Sequence, residues 1–253
     1  MRDLDQYEKY YEKQPYEKYQ VKFRKKKVLE LIAGVPHCSI LEIGCGLEPL
    51  FLDFDDFESL TVLEPANLFF QTATQQLLLH PLSSGRVSLV QTTLEDYRPP
   101  ADQAAFDLIL VSSLLHEIRE PLAFLHQVRR LCSQNTRVHV NVPNGNSFHR
   151  LLAVEMNLIS SSVEISESNT IFQQTSVFTN TTLRRLVENA DFQVIEAGSY
   201  APKFFTHFQM QQLLQTGLIT EKMLDGIYKM GKYMPDLGSE IYVNLKPAFI
   251  FND

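Results

Sequence analysis

Cysteine is scarce in this sequence of 253 residues: Cys38, Cys45 and Cys132 are an odd number and form no Cys-x-x-Cys pair. A disulfide framework or a zinc site is therefore not expected. No stretch approaches the ~20 consecutive apolar residues of a membrane-spanning helix, and the opening MRDLDQYEKYYEK lacks the apolar core of a secretory signal. The expectation is a soluble, cytoplasmic chain with no membrane partner. An excess of basic charge is missing as well, since 23 basic residues face 30 acidic ones for a formal charge of −7. Residues 1 to 30 hold nine basic and six acidic groups, which leaves 14 against 24 for the rest. So acidic a body argues against duplex DNA or RNA as the main substrate, because binding the phosphate backbone needs a basic face. Internal repeats and low-complexity linkers are also absent.

What is present is enough apolar material, 44% of the residues, to build a full core. Short runs rich in β-branched and aliphatic residues alternate with stretches long enough for helices, the pattern of a mainly parallel sheet with crossover helices. The expected strands are Ser39 to Ile43, Ser59 to Glu64, Arg86 to Gln91, Phe106 to Ser112, Thr136 to Val142, Phe192 to Ala197 and Glu240 to Leu245. Phe106 to Val111 is nearly all apolar, as suits a central strand covered on both faces. A helix is expected over Pro121 to Leu131, with Leu122, Leu125, Val128 and Leu131 facing the sheet, and another from about Thr182 to Asn189 with Thr179 or Asn180 as its cap. Residues 144–176 and 204–237 exceed a minimal sheet domain and read as helical insertions covering the ligand face. In residues 1–30, five tyrosines and alternating charge read either as an amphipathic helix packing Phe23, Val28 and Leu31 downward or as a lid. In the lid reading Tyr11 and Tyr19 close over a substrate.

The most informative stretch is Ile40-Leu41-Glu42-Ile43-Gly44-Cys45-Gly46, a strand running into Gly-x-Gly, where the backbone can turn tightly and a ligand can approach closely. A second expected strand ends at Glu64, where a carboxylate can accept both hydroxyls of a ribose. A third Gly-x-x-Gly glycine, which a nicotinamide dinucleotide would want, is replaced by Leu47-Glu48-Pro49, and Glu48 would repel a pyrophosphate. Over roughly residues 30 to 200 and the last strand, the sequence resembles the class I S-adenosylmethionine-dependent methyltransferases. ILEIGCG resembles the motif that wraps the methionine part of the cofactor, which implies roles for Glu42, Gly44, Cys45 and Gly46. TVLEPA resembles the ribose motif, with Glu64 and Pro65. VQTTLEDY resembles the adenine motif, with Thr93 and Leu94, and here a threonine stands where relatives often carry aspartate. FDLILVSSLLHEI resembles the motif flooring the methyl-transfer site, which adds Ser112. The resemblance implies S-adenosyl-L-methionine as cofactor and a single methyltransferase domain over residues 1–253. Its fold class would be α/β, a Rossmann-like seven-stranded mainly parallel sheet with helices on both faces and helical insertions forming a cap.

Methyl transfer is an in-line displacement that mainly needs alignment, and an alcohol or protonated amine acceptor also needs a base. His116 follows the fourth expected strand and His149 the fifth, both at the carboxyl end of the sheet, and these are the catalytic candidates. Arg150 beside the latter would bind an acidic substrate group. The plainer account has His116 packing the next helix and Arg150 paired at the surface. His37, His80, His126, His139 and His207 read as structural or solvated, with His139 half-exposed on its strand. No spacing suggests a metal site. The VPNGNSFHR run resembles a small-molecule branch of the family, which points to oxygen or nitrogen of a small-molecule acceptor in natural-product or sugar metabolism. Two alternatives stand beside it: a protein or carrier-bound substrate, with Arg24-Lys25-Lys26-Lys27 docking an acidic carrier protein, and an inactive cofactor-binding scaffold.

Overall fold

The computed structural model describes residues 16–81, 85–101, 103–171 and 173–248. Seven strands form one sheet: β1 (Ser39–Ile43), β2 (Ser59–Leu63), β3 (Val87–Val90), β4 (Phe106–Ser112), β5 (Cys132–Pro143), β6 (Phe192–Pro202) and β7 (Gly238–Pro247). Their order is β3-β2-β1-β4-β5-β7-β6. The first five pair in parallel, and β7 pairs antiparallel with both β5 and β6. The order reverses between β1 and β4, and in open sheets of this kind that is where a crevice opens beyond the carboxyl ends of the strands.

Alternation along the strands divides the core in two. Ile40, Leu60, Val62, Leu108 and Leu110 pack with Val28, Ile32, Phe51 and Phe57 on one face. On the other face Leu41, Ile43, Ile109, Val111, Val138 and Val140 meet Leu125, Val128, Leu183 and Val187. The nearly all-apolar run of β4 follows from this, since both faces of the strand are covered. The eight helices among the described residues are α1 (Glu17–Ile32), α2 (Asn67–Leu79), α3 (Pro121–Arg130), α4 (Phe148–Glu155), α5 (Glu167–Ile171), α6 (Asn180–Asn189), α7 (His207–Gln215) and α8 (Glu221–Met230). Several starts are written locally. Pro121 occupies the first turn of α3, and Thr179 with Thr182 and Thr206 with Gln209 form reciprocal caps on α6 and α7.

The structure departs from the expected elements in specific places. β6 continues five residues past Ala197, because a register shift after Val194 breaks its period-2 pattern and its polar groups pair across to β7. Tyr242 and Asn244 both donate to Glu196, and Gly238 N donates to Ser199 Oγ. β5 begins four residues earlier than expected, at Cys132. α2 is a helix that the apolar pattern hides, since Phe69 and Ala73 are buried while Leu78 and Leu79 are exposed. In α3 Leu122 faces solvent and Phe124 takes the inward place. His139 is fully buried rather than half-exposed, with Nδ1 2.7 Å from Asn244 Oδ1 and its ring stacked on Tyr242, because β7 covers β5.

Of the N-terminal segment 1–30, residues 1–15 lie outside the described residues. The rest is α1, which buries Phe23 and Val28 as expected and Ile32 in place of Leu31. Its aromatic end packs with Tyr200 and Tyr242 of β6 and β7 and with Met210 and Leu224 of α7 and α8. Gly238, where β7 begins, has no room for a side chain, because a Cβ there would overlap the backbone N and O of Tyr200. Gly238→Ala is expected to force β6 and β7 apart and cost about 3 kcal/mol. Urea unfolding would show it as a lowered midpoint, and an unchanged midpoint would refute the close approach.

Candidate functional site

A cavity of about 940 Å³ opens over the carboxyl ends of the strands. At the end of β1 the chain turns through Gly44 and Gly46, with φ of 76° and 58°, a region that favours glycine. The need for glycine at Gly44 is conformational, since a Cβ there would meet only Leu114 at an ordinary contact distance of 3.5 Å. The Glu64 carboxylate closes the turn, accepting from Gly46 N at 3.0 Å and from Ala66 N at 2.9 Å. Glu42 Oε2 accepts from Leu50 N at 3.0 Å. Burial raises the Glu42 carboxyl to about 7, against the pull of the Leu50 N–H and Lys25. Burial, with Glu42 and Glu64 nearby, raises the Cys45 thiol, which removes it as a nucleophile.

Every expected cofactor residue lines this cavity: Glu42, Gly44, Cys45, Gly46, Glu64, Pro65, Thr93, Leu94 and Ser112. The two hydroxyl-bearing residues among them are already engaged. Thr93 Oγ1 donates to Asp96 Oδ2 at 3.1 Å and accepts from Asp96 N at 3.3 Å, so its hydroxyl is spent on a local turn. The Ser112 hydroxyl donates to Asn141 Oδ1 at 2.7 Å. From there a buried polar chain crosses the sheet. Asn141 Nδ2 donates to Tyr200 Oη at 2.9 Å and to Glu240 Oε2 at 3.3 Å, Arg24 Nε donates to Glu240 Oε1 at 3.0 Å, and Arg24 reaches Glu17 at 2.6 Å.

Of the expected catalytic and substrate groups, His116, His149 and Arg150 also line the cavity. His116 is buried in the short helical turn after β4, with Nε2 3.7 Å from Glu117 Oε1, and its carbonyl anchors Thr175 N and Ser176 N of the first insertion. His149 Nδ1 lies 3.1 Å from Ser147 Oγ. Burial, then Lys203, His207 and Arg150, push the His149 imidazole well below its usual range, so it is neutral near pH 7 and a weak base. Arg150 is tied to the first insertion through the carbonyls of Ser162 and Glu164, each at 2.5 Å.

The two expected substrate tyrosines fare differently. Tyr11 lies outside the described residues, and Tyr19 packs between α1 and α8 with its hydroxyl donating to Glu221 Oε1 at 3.0 Å. The face of α1 that does reach the cavity carries Glu17, Gln20, Val21, Arg24, Lys25 and Val28. The basic run is likewise engaged within the chain. Arg24 turns inward, Lys25 pairs with Glu48 and Asp53, Lys26 lies over the Tyr228 ring, and Lys27 lies over the Tyr242 ring. That leaves little of the run to dock an acidic carrier. His207, read from the sequence as structural or solvated, also lines the cavity, as do Lys203, Asn144 and Glu240. Lys203 lies beyond the expected strand, which ends at Ala197, and before the expected insertion at 204–237. The signal available was a lone basic residue between Pro202 and Phe204 in an apolar run.

Among the described residues no group of His, Cys, Asp and Glu could hold a metal ion, and no helix is long and apolar enough to cross a membrane. A family described as "Methyltransferase domain" matches residues 11–197. No curated protein matches the sequence. Among solved structures, the [4+2]-cyclase SpnF is similar with a TM-score of 0.61 and 15% identity, over 89% of this chain and 81% of that one. An S-adenosylmethionine-dependent methyltransferase of Thermotoga maritima has a TM-score of 0.59 and 15% identity, over 96% and 98%. The plantazolicin methyltransferase BpumL, solved with S-adenosylhomocysteine, has a TM-score of 0.56 and 16% identity, over 95% and 88%. These likenesses are of fold.

The raised Glu42 pKa has a direct consequence for stability. A carboxyl whose folded pKa lies above its unfolded value of 4.5 contributes stability that is complete below that value and is lost as the pH rises to about 7. Glu42→Gln keeps an acceptor for Leu50 N without the charge. The melting temperature of the variant, relative to the native protein, is therefore expected to rise between about pH 4.5 and about pH 7 and to level off above. A difference that does not vary with pH would show that Glu42 is not held in a charge-disfavouring site.

Proposed function

The chain belongs to the methyltransferase-domain family, and from that premise we propose that it moves a methyl group from S-adenosyl-L-methionine to an oxygen or nitrogen of a small molecule, in natural-product or sugar metabolism. The observation that carries this reading is the cavity's first half. There a glycine turn lies among Glu42, Glu48, Glu64, Glu95 and Glu117, with Lys25 of α1 alongside. That donor set fits a cationic cofactor without phosphate and disfavours a dinucleotide, whose pyrophosphate would meet carboxylates at close range. When bound, the cofactor supplies an electrophilic methyl group on a sulfonium.

In this reading Glu64 holds the ribose hydroxyls with lone pairs left over from the Gly46 and Ala66 N–H groups. Gly44, Cys45 and Gly46 with Glu42 hold the methionine part, and Pro65, Thr93 and Leu94 line the adenine side. With its hydroxyl committed to Asp96, Thr93 contributes surface, and Glu95, which also lines the cavity, supplies a polar group there. Ser112 keeps a lone pair toward the cavity after donating to Asn141. His116, buried at the end of β4 beside Glu117, is the candidate base for a hydroxyl or ammonium acceptor. His149, neutral and weakly basic, is better suited to donating a hydrogen bond than to taking a proton. Residues 1–253 act as one domain, with 144–176 and 204–237 as the cap. From the first insertion Arg150, Ala153 and Ile159 reach the cavity, and from the second Thr206, His207 and Phe208 do. We place the protein in the cytoplasm, where its three free thiols would stay reduced.

Glu64→Ala removes the carboxylate proposed for the ribose and is expected to weaken S-adenosylhomocysteine binding by about a hundredfold in calorimetry, the worth of two charge-assisted hydrogen bonds. Unchanged affinity would sink the ribose assignment. His116→Asn is expected to lower turnover while cofactor affinity stays within about twofold, as for a base contributing only to the chemical step. Full activity in that variant would remove His116 from the chemistry.

A further inference from the structure

The cavity is electrically two-sided. Beyond β5 the carboxylates of its first half give way to Arg24, Arg150 and Lys203, with the imidazoles of His149 and His207 between them. Two of these cations are already committed. Arg24 is matched by Glu17 and Glu240, whose remaining oxygen accepts from Asn141. Arg150 is fixed by the carbonyls of Ser162 and Glu164. Lys203 is different: it is 6% exposed, and among the described residues its ammonium has no hydrogen bond and no carboxylate within 4 Å. An unpaired ammonium in so enclosed a place is costly.

The backbone is built to hold it there. Pro202 closes β6 against Gly238, and just before it Ala201 adopts φ of 51°, a left-handed conformation that a residue with a Cβ keeps only when its surroundings impose it. The Ala201 carbonyl is pinned by Ser239 Oγ at 2.8 Å, and Ser239 is in turn held by Gln20 of α1. Beside Lys203, His149 has Nδ1 engaged with Ser147 and no hydrogen bond on Nε2 among the described residues. In the tautomer in which the Ser147 hydroxyl donates to Nδ1, the ring proton sits on Nε2 and is available to a ligand.

We propose that this basic end is the docking subsite for the methyl acceptor and that it takes a carboxylate, one oxygen on the Lys203 ammonium and the other on His149 Nε2–H. The charge count selects a carboxylate over a phosphate. Among the buried groups, the three cations Arg24, Arg150 and Lys203 against the carboxyl groups Glu17 and Glu240 leave one net positive charge, the Glu164 carboxylate near Arg150 being exposed and screened by solvent, and that is enough for a monoanion and short of a dianion. Burial lowers the Lys203 pKa to about 8, with Arg24 and Arg150 adding to the fall and Glu17 and Glu240 opposing it, so the ammonium is still charged near neutral pH. A bound anion would stabilise that charge. The carboxylate is a handle, at the end of the cavity away from Glu64. The assignment of that handle to the methyl acceptor rests on the methyltransferase reading, whereas the anion subsite itself does not.

Calorimetry on the full chain separates the two. Titration with S-adenosylhomocysteine reads the cofactor assignment. Titration with benzoate, benzamide and inorganic phosphate, each into the protein saturated with S-adenosylhomocysteine and into the protein alone, reads the subsite. Benzoate is expected to bind at least about tenfold more tightly than benzamide or phosphate, the worth of one charge-assisted hydrogen bond. Lys203→Met should abolish that preference with S-adenosylhomocysteine affinity unchanged, and Lys203→Arg, which keeps the charge, should retain most of it. Equal binding of benzoate and benzamide, no benzoate binding, phosphate binding more tightly than benzoate, or a Lys203→Met variant that keeps the preference would each overturn the subsite. Benzoate binding that depends on Lys203 in a protein that ignores S-adenosylhomocysteine would uphold the subsite and overturn the methyltransferase reading.

Discussion

A guanidinium buried between two carboxyl groups fixes how this molecule is closed. Arg24, on α1, reaches over the carboxyl ends of the strands to Glu240 on β7 and back to Glu17 on its own helix, with all three side chains largely removed from water. Such a triad gains little net stability over a well-packed apolar one, because desolvation consumes most of its Coulomb energy. It does specify geometry. Glu240 without Arg24 would be a bare buried charge, so α1 has one register in which the molecule can close. From Glu240 the same network passes through Asn141 to Ser112, the last residue of β4. The helix that covers the cavity is thereby indexed to the strand end that floors it.

That indexing explains why the two halves of the cavity can carry opposite charge. The acidic groups follow β1, β2, β3 and β4, where a chain turning through glycine donates N–H groups to Glu64 and Glu42 takes the Leu50 N–H. The basic groups come from later elements: α4 after β5, the turn after β6, and α7. A helix crossing between them lends Lys25 to the acidic side, where it pairs with Glu48, and Arg24 to the basic side. Neighbours in sequence are sent to opposite halves.

How much of this was legible in the sequence depends on whether the cause was local. β1 and β4 were readable to the residue, because both are short runs whose neighbours on either face are apolar. The glycine turn and the position of Glu64 beside it were readable because the conformation there is written in a few consecutive residues at the ends of β1 and β2. β6 was not, since its second half is held by Glu196, Ser199 and Tyr200 pairing with β7, some forty residues away in sequence. Lys203 was lost with it. His139 and Arg24 were misplaced for a related reason. A histidine alternating in a strand and an arginine in a basic run both look solvated until the strand or helix that covers them is known.

The two-sided cavity also bears on how a cationic cofactor would be oriented. A like charge placed about 8 Å from Lys203 at an effective dielectric near 20 would be disfavoured by roughly 2 kcal/mol, while Glu64 and Glu117, and Glu42 in its ionised form, favour the same charge at the other end. Electrostatics alone would then seat the sulfonium on the β1–β4 side and leave the β5–β7–β6 side for an anion. An acceptor held by its carboxylate at Lys203 would present its other end toward the sulfonium, because the cavity offers a negative group one place of net positive charge. Alignment along that axis is the part of an in-line displacement that a protein can supply before any proton moves. In the methyltransferase reading, the charged residues around the cavity, more than any single base, would set the direction of transfer.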